Sequence, residues 1–209
     1  MKTRLIILAD GALLHVRNAK AKERTPETRD RTAEVPPPVL DFLKLPAAIA
    51  KQLDVQTPPI ADCHWFMVGA ANAAKFIETI SQAWSVHEFP LRAFTIGPVT
   101  GDAQARFTPA ISWALGNIAS SNLKPTVVVL SNDAGVIFPA KFTIDRGAAD
   151  VMLAWPDPLS EESRYFADWN EVRVLPLEPN DVRAPGHRPS FGRTFLVQSD
   201  PDGSPKRKA

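Results

Sequence analysis

The sequence predicts an α/β fold, a mainly parallel sheet of five or six strands with flanking helices in a three-layer arrangement. Three observations predict it. Short runs rich in Val, Ile and Leu recur along the chain, each apolar throughout, as strands buried on both faces require. Segments with apolar residues at helical intervals separate them. The runs also stop on polar or glycine residues, where a parallel sheet hands over to its crossover helices.

Taken in order, Arg4–Ala9 reads as the first strand, closed by Asp10 and Gly11. Arg17–Glu34 carries six basic and four acidic residues and runs into VPPP, which predicts a charged, solvated insertion over about 17–38. From Val39 to Val55 apolar residues return at helical spacing, with Pro46 breaking the helix or marking a new start. Cys63–Ala70 is a second strand, and a helix follows from a cap at Asn72, with Phe76, Ile77, Ile80 and Trp84 on one side. Leu91–Val99 reads as a third strand. The next helix starts at Asp102 or at Thr108, where Pro109 suits the first turn, and buries Ile111, Leu115 and Ile118. Thr126–Leu130 is a fourth strand, followed by a helix stopped at Gly147, a fifth strand at Asp150–Trp155 and a sixth at Glu171–Leu177. Residues 1–179 thus form one domain, and 180–209, which loses periodicity and ends in Lys206, Arg207 and Lys208, reads as a flexible basic tail.

Composition narrows the function classes. With Lys+Arg 24 against Asp+Glu 23, the net charge of +1 creates no overall field for nucleic acid or an anionic membrane, so any such attraction must be local. The single cysteine, Cys63, excludes an internal disulfide and a zinc-thiolate cluster. No apolar run approaches the roughly 20 residues of a membrane span, and the opening run is interrupted by Asp10, so the expectation is a cytoplasmic protein with no membrane partner. His15, His64, His87 and His187 show no ligand spacing. Trp155 and Trp169, flanked by polar sequence, are the tryptophans suited to stack on a base. No glycine-rich phosphate loop is present.

Three acids remain. Asp10 follows the first strand, Asp102 the third and Asp133 the fourth. In a doubly wound sheet such strand ends lie side by side, and carboxylates meeting there repel one another unless a cation neutralises them. All-oxygen ligands favour Mg²⁺ or Mn²⁺, an ion that activates water and offsets charge on a phosphoryl oxygen. Asp133 in LSNDAG is equally a helix cap, since Ser, Asn and Asp accept hydrogen bonds from first-turn amides.

Three segments, LIILADGALLH, VTGDAQARFTPAISWAL and PTVVVLSNDAGVIFPAKFTIDRGAADVMLAW, resemble the NYN group of PIN-like nucleases over Arg4 to about Trp155. The resemblance implies a PIN-like, Rossmann-like fold and a Mg²⁺- or Mn²⁺-dependent ribonuclease. Asp10, Asp102 and Asp133 stand at positions of family acids, for catalysis and metal binding. Beside them, Ser131 and Asn132 are candidates for supporting hydrogen bonds to substrate, and Arg106 and Lys141 for phosphate contact. RNA is then the expected partner, with a homo-oligomer or a protein partner left open. The chain departs from the family pattern at Ala12 and Leu13, where an Asn is usual, at Gly135, where a second acid is usual, and at Thr108 and Ser112, where a helix acid is usual. These departures support an alternative, a catalytically degenerate RNA-binding or protein-interaction module. TVVVLSN is also similar to the second motif of haloacid-dehalogenase-like phosphatases, but Ala12 occupies the place of that family's second Asp.

Overall fold

The computed structural model describes residues 4–23, 39–55, 62–68, 73–89, 107–131, 133–155, 172–177 and 182–184. β1 (Leu5–Asp10) is buried along its whole length, which only a central strand covered on both sides can be. β2 (Asp62–Val68) and β4 (Thr126–Leu130) flank it, β3 (Ser85–Phe89) lies beyond β2, and β5 (Asp150–Trp155) and β6 (Arg173–Pro176) lie beyond β4. The order is β3-β2-β1-β4-β5-β6, with every neighbouring pair parallel. The chain therefore winds outward from β1 in one direction, returns, and winds outward in the other. Between β1 and β4 the crossovers leave on opposite faces, and a crevice opens at the strands' carboxyl ends.

The side-chain alternation of the strands divides the core in two. α1 (Gly11–Glu23), α2 (Leu45–Gln52) and α3 (Ala74–Ile80) share a cluster containing Ile7, Ala9, Leu14, Leu45, Ile49, Trp65 and Ile80. α4 (Thr108–Ala119) and α5 (Ile137–Asp145) share the other, with Ile6, Leu8, Ile111, Leu115, Val129, Ile137 and Leu153. Each fully buried aliphatic side chain contributes roughly 1.5–3 kcal/mol of transfer free energy. Gly11 is needed where α1 leaves β1: a Cβ there would overlap the Trp65 indole and stand 2.6 Å from the Phe66 carbonyl oxygen.

Several expectations change. The charged stretch from Arg17 is helical as far as Glu23, and Arg17 and Asn18 are buried, while 24–38 lies outside the described residues. Charge content hid the helix, because its inward positions include Leu14 but also polar residues. Asn18 explains the burial: its amide donates to the Leu40 carbonyl at 3.0 Å and accepts from the Leu40 amide at 2.9 Å, replacing a strand neighbour. The same segment is held on its other side, since Asp41 donates to Val182 at 2.8 Å and Ala184 donates to Val39 at 2.9 Å. Val182–Ala184 thus belongs to the folded body rather than to a free tail. Pro46 marks a start, lying in the first turn of α2.

The third strand among the described residues is SVHEF; Leu91–Val99 and Asn72 lie outside the described residues. SVHEF is an edge strand with mixed exposure, so it lacks the continuous apolar signal of its neighbours. β4, α5 and β5 lie where their residues predict, and Gly147, at φ +63°, ends α5.

Candidate acidic site at the sheet's carboxyl edge

The register of β1 and β4 pairs Ala9 with Leu130, so Asp10 and Ser131 come next on adjacent strands. Ser131 is fully buried, and its Oγ accepts the Asp133 amide at 3.1 Å. Asp133 then turns the chain. Its Oδ1 accepts the Gly135 amide at 2.9 Å and its carbonyl accepts the Val136 amide at 3.1 Å, which starts a short 3-10 turn at Ala134–Val136 ahead of α5. Its Oδ2 accepts the Thr108 hydroxyl at 2.6 Å. Asp133 thus follows the end of β4 and its side chain caps the 3-10 turn rather than α5, whose N-cap is Val136 with no side-chain hydrogen bond.

Asp10 is fully buried. Its Oδ1 accepts the Leu13 amide at 3.0 Å, holding the first turn of α1, while Oδ2 makes no hydrogen bond. Burial pushes this carboxyl up to about 7; the Leu13 amide opposes the rise, and the nearby negative charge of Asp133 adds to it. Weaker pulls downward come from the Phe107 and Ala12 amides. A buried carboxylate with one oxygen unserved, facing a second carboxylate, is relieved either by a proton or by a cation. Both groups offer hard oxygen donors, which suit Mg²⁺ or Mn²⁺ rather than a soft metal.

The structure thus brings together two of the three predicted acids. Asp102, with Arg106 and Asn132, lies outside the described residues, as does Leu91–Val99, the strand reading on which the placing of Asp102 relied. Among the described residues no group of three His, Cys, Asp or Glu side chains converges as a metal site. Lys141 is half-buried on α5, four residues after its first. Thr108 is a participant that sequence reasoning missed. The sequence offered it as one of two starts for the helix, and α4 does begin there, but its hydroxyl also serves Asp133. Gly135 stands close by: a Cβ there would lie 2.8 Å from Thr108 Cγ2, so an acid at this position requires Thr108 to move.

Two further readings change. Trp155 is buried in the core and offers no stacking face, whereas Trp113 is 72% exposed; Trp169 lies outside the described residues. His64 and His87 are in direct contact, Nδ1 to Nε2 at 2.9 Å. Their pairing depends on the β2–β3 register and was not visible in their spacing.

The fold is similar to that of a protein of unknown function from Vibrio parahaemolyticus RIMD 2210633, whose crystal structure matches with a TM-score of 0.56 at 14% identity, over 87% of this chain and 96% of that one. At that identity the likeness concerns the fold alone. No protein-family model matches the chain, and no curated protein matches it. No helix among the described residues is long and apolar enough to cross a membrane.

Proposed function

We propose that the chain is a PIN-like, NYN-type ribonuclease that hydrolyses RNA phosphodiester bonds with Mg²⁺ or Mn²⁺ held by Asp10 and Asp133. One observation carries this reading: a fully buried carboxylate with an unserved oxygen lies beside a second carboxylate at the point where the sheet order reverses. The bound ion supplies a water of lowered pKa and offsets charge on the phosphoryl oxygens. The chain does the rest. Asp10 and Asp133 bind the ion; Thr108 and the Gly135 amide hold the Asp133 carboxylate in one orientation, and Ser131 fixes its backbone. Asp102 as a third ligand, Asn132 as a hydrogen-bonding support, and Arg106 and Lys141 as phosphate contacts belong to the same proposal, as does a cytoplasmic location.

Cleavage of single-stranded and structured RNA tests it. Activity is expected with Mn²⁺, is expected to vanish with chelator, and is expected to fall by at least about 10²-fold in Asp133→Asn at unchanged far-UV circular dichroism. Activity that persists in chelator, or a fully active Asp133→Asn protein, rejects the mechanism.

A second reading rests on its own observation. Both Asp133 oxygens already accept hydrogen bonds, and Gly135 brings no carboxylate. This favours a degenerate module that binds RNA or a protein without cleaving. It predicts salt-sensitive RNA binding or a stable protein complex, with no heat of Mn²⁺ binding by calorimetry.

A further inference from the structure

Among the described residues, the face of the sheet that carries α4 and α5 is covered unevenly. There β2 and β3 present His64, Phe66, His87 and Phe89, which floor a concave site of about 690 Å³ walled by α4. The rings are ordered: Phe66 stacks on His87 at 5.1 Å and on Phe89 at 6.2 Å between centroids. Trp113 and Leu123, 72% and 58% exposed, also line the site. The volume lies in the range that holds small organic molecules, and the lining is mostly apolar with a few convergent polar groups, as such sites are. Asp10 and Asp133 are not among its described lining residues.

The polar groups give the site a sign. His64 Nδ1 and His87 Nε2 stand 2.9 Å apart, so one ring donates to the other and the contact survives with a single proton between those two atoms. Arg4 and Asp62 form an ion pair at the same site. From α4 the lining adds only neutral polar groups such as Asn117, with Ser121 just beyond its end. Among the described lining residues three cation-capable side chains thus face one carboxylate, which Arg4 already neutralises.

We propose that this cavity binds an amphiphilic organic anion, an acid with an aromatic or branched apolar body, its head group at the His64–His87 pair and its body against Phe66, Phe89 and α4. Aromatic floor and helical wall match the body; the surplus of positive capacity matches the head. Burial first, then His87, hold His64 below its ordinary pKa; Asp62 works against them, and Arg4 adds a smaller pull downward. His64 is therefore neutral near pH 7 in the empty site, and an anion entering beside it draws in a proton. Affinity then rises as pH falls.

The probes are 1-anilinonaphthalene-8-sulfonate and N-phenyl-1-naphthylamine, the same two-ring body without the charge, titrated by fluorescence against the full chain. The sulfonate is expected to bind at one site, about tenfold more tightly than the neutral amine, and to tighten between pH 8 and pH 6. His87→Gln, on an edge strand and half-buried, is expected to abolish the preference while retaining the amine, and His64→Gln is expected to abolish the pH dependence. Ala114→Trp fills the cavity from α4 and is expected to remove both probes. Equal affinity for the two probes, or a preference unchanged in His87→Gln, overturns the proposal, as does displacement of the probe by self-association of the chain at higher protein concentration.

Discussion

Under α1, α2 and α3 the sheet is closed by aromatic side chains: Trp65 is fully buried, with ring centroids 4.9 Å from Phe42 and 5.3 Å from Trp84, and the Trp84 indole donates to the Phe42 carbonyl at 2.9 Å. Under α4 and α5 the covering by the described residues is partial. Leu115 and Ile111 seal the centre, but β2 and β3 carry a histidine pair and two phenylalanines in an open cavity, and the acids of β1 and β4 stand at the strand ends. Both features that point to a ligand, a buried charge without a complete partner set and a concave surface with a polar pair, lie on this half. The closed half supplies rigidity, and the open half keeps groups that a well-packed core would exclude.

The largest expected effect belongs to the closed half. Trp65→Ala removes an indole packed against Phe42 and Trp84 and is expected to cost about 3–5 kcal/mol in chemical denaturation. A cost under about 1 kcal/mol would mean that this half is as loosely packed as the other.

Next comes Asp10. Its carboxyl ionises at about 7 in the folded chain against an ordinary 3.8, so between those values the folded state holds a proton that the unfolded state has released. The stability this group supplies is complete below about pH 4 and is lost as pH rises through 7. Asp10→Asn cannot ionise. Relative to the natural chain it is expected to gain up to about 4 kcal/mol between pH 4 and pH 8 in chelator, less any cost from the buried amide itself. Denaturation curves at several pH values measure the difference, and a difference that is flat with pH would remove the desolvated carboxylate from the account. The smallest effect belongs to the open half's wall: Trp113→Ala is expected to change stability by no more than about 0.5 kcal/mol, and a larger loss would show that something packs on that ring.

How much of this was legible follows from burial. β1, β4 and β5 are apolar along their length because both of their faces are covered, and such runs announce themselves. SVHEF does not, because an edge strand alternates exposure over too few residues to be told from a helix end. α1 was hidden for the opposite reason, since Arg17 and Asn18 look solvated in sequence and are buried by a tertiary contact with Leu40. Asp10 and Asp133 were found because an acid after a buried run is a local signal. Thr108 on Asp133, and His64 on His87, join residues 25 and 23 positions apart, and no local pattern encodes such meetings.

The bonds joining Val39 and Asp41 to Val182 and Ala184 carry a practical lesson. A shortened chain stopped at residue 179 would strip one side of that strap and leave Leu40 hanging from Asn18 alone. A shortened version that keeps this margin closed has to reach Ala184, through residues that composition would assign to loose thread.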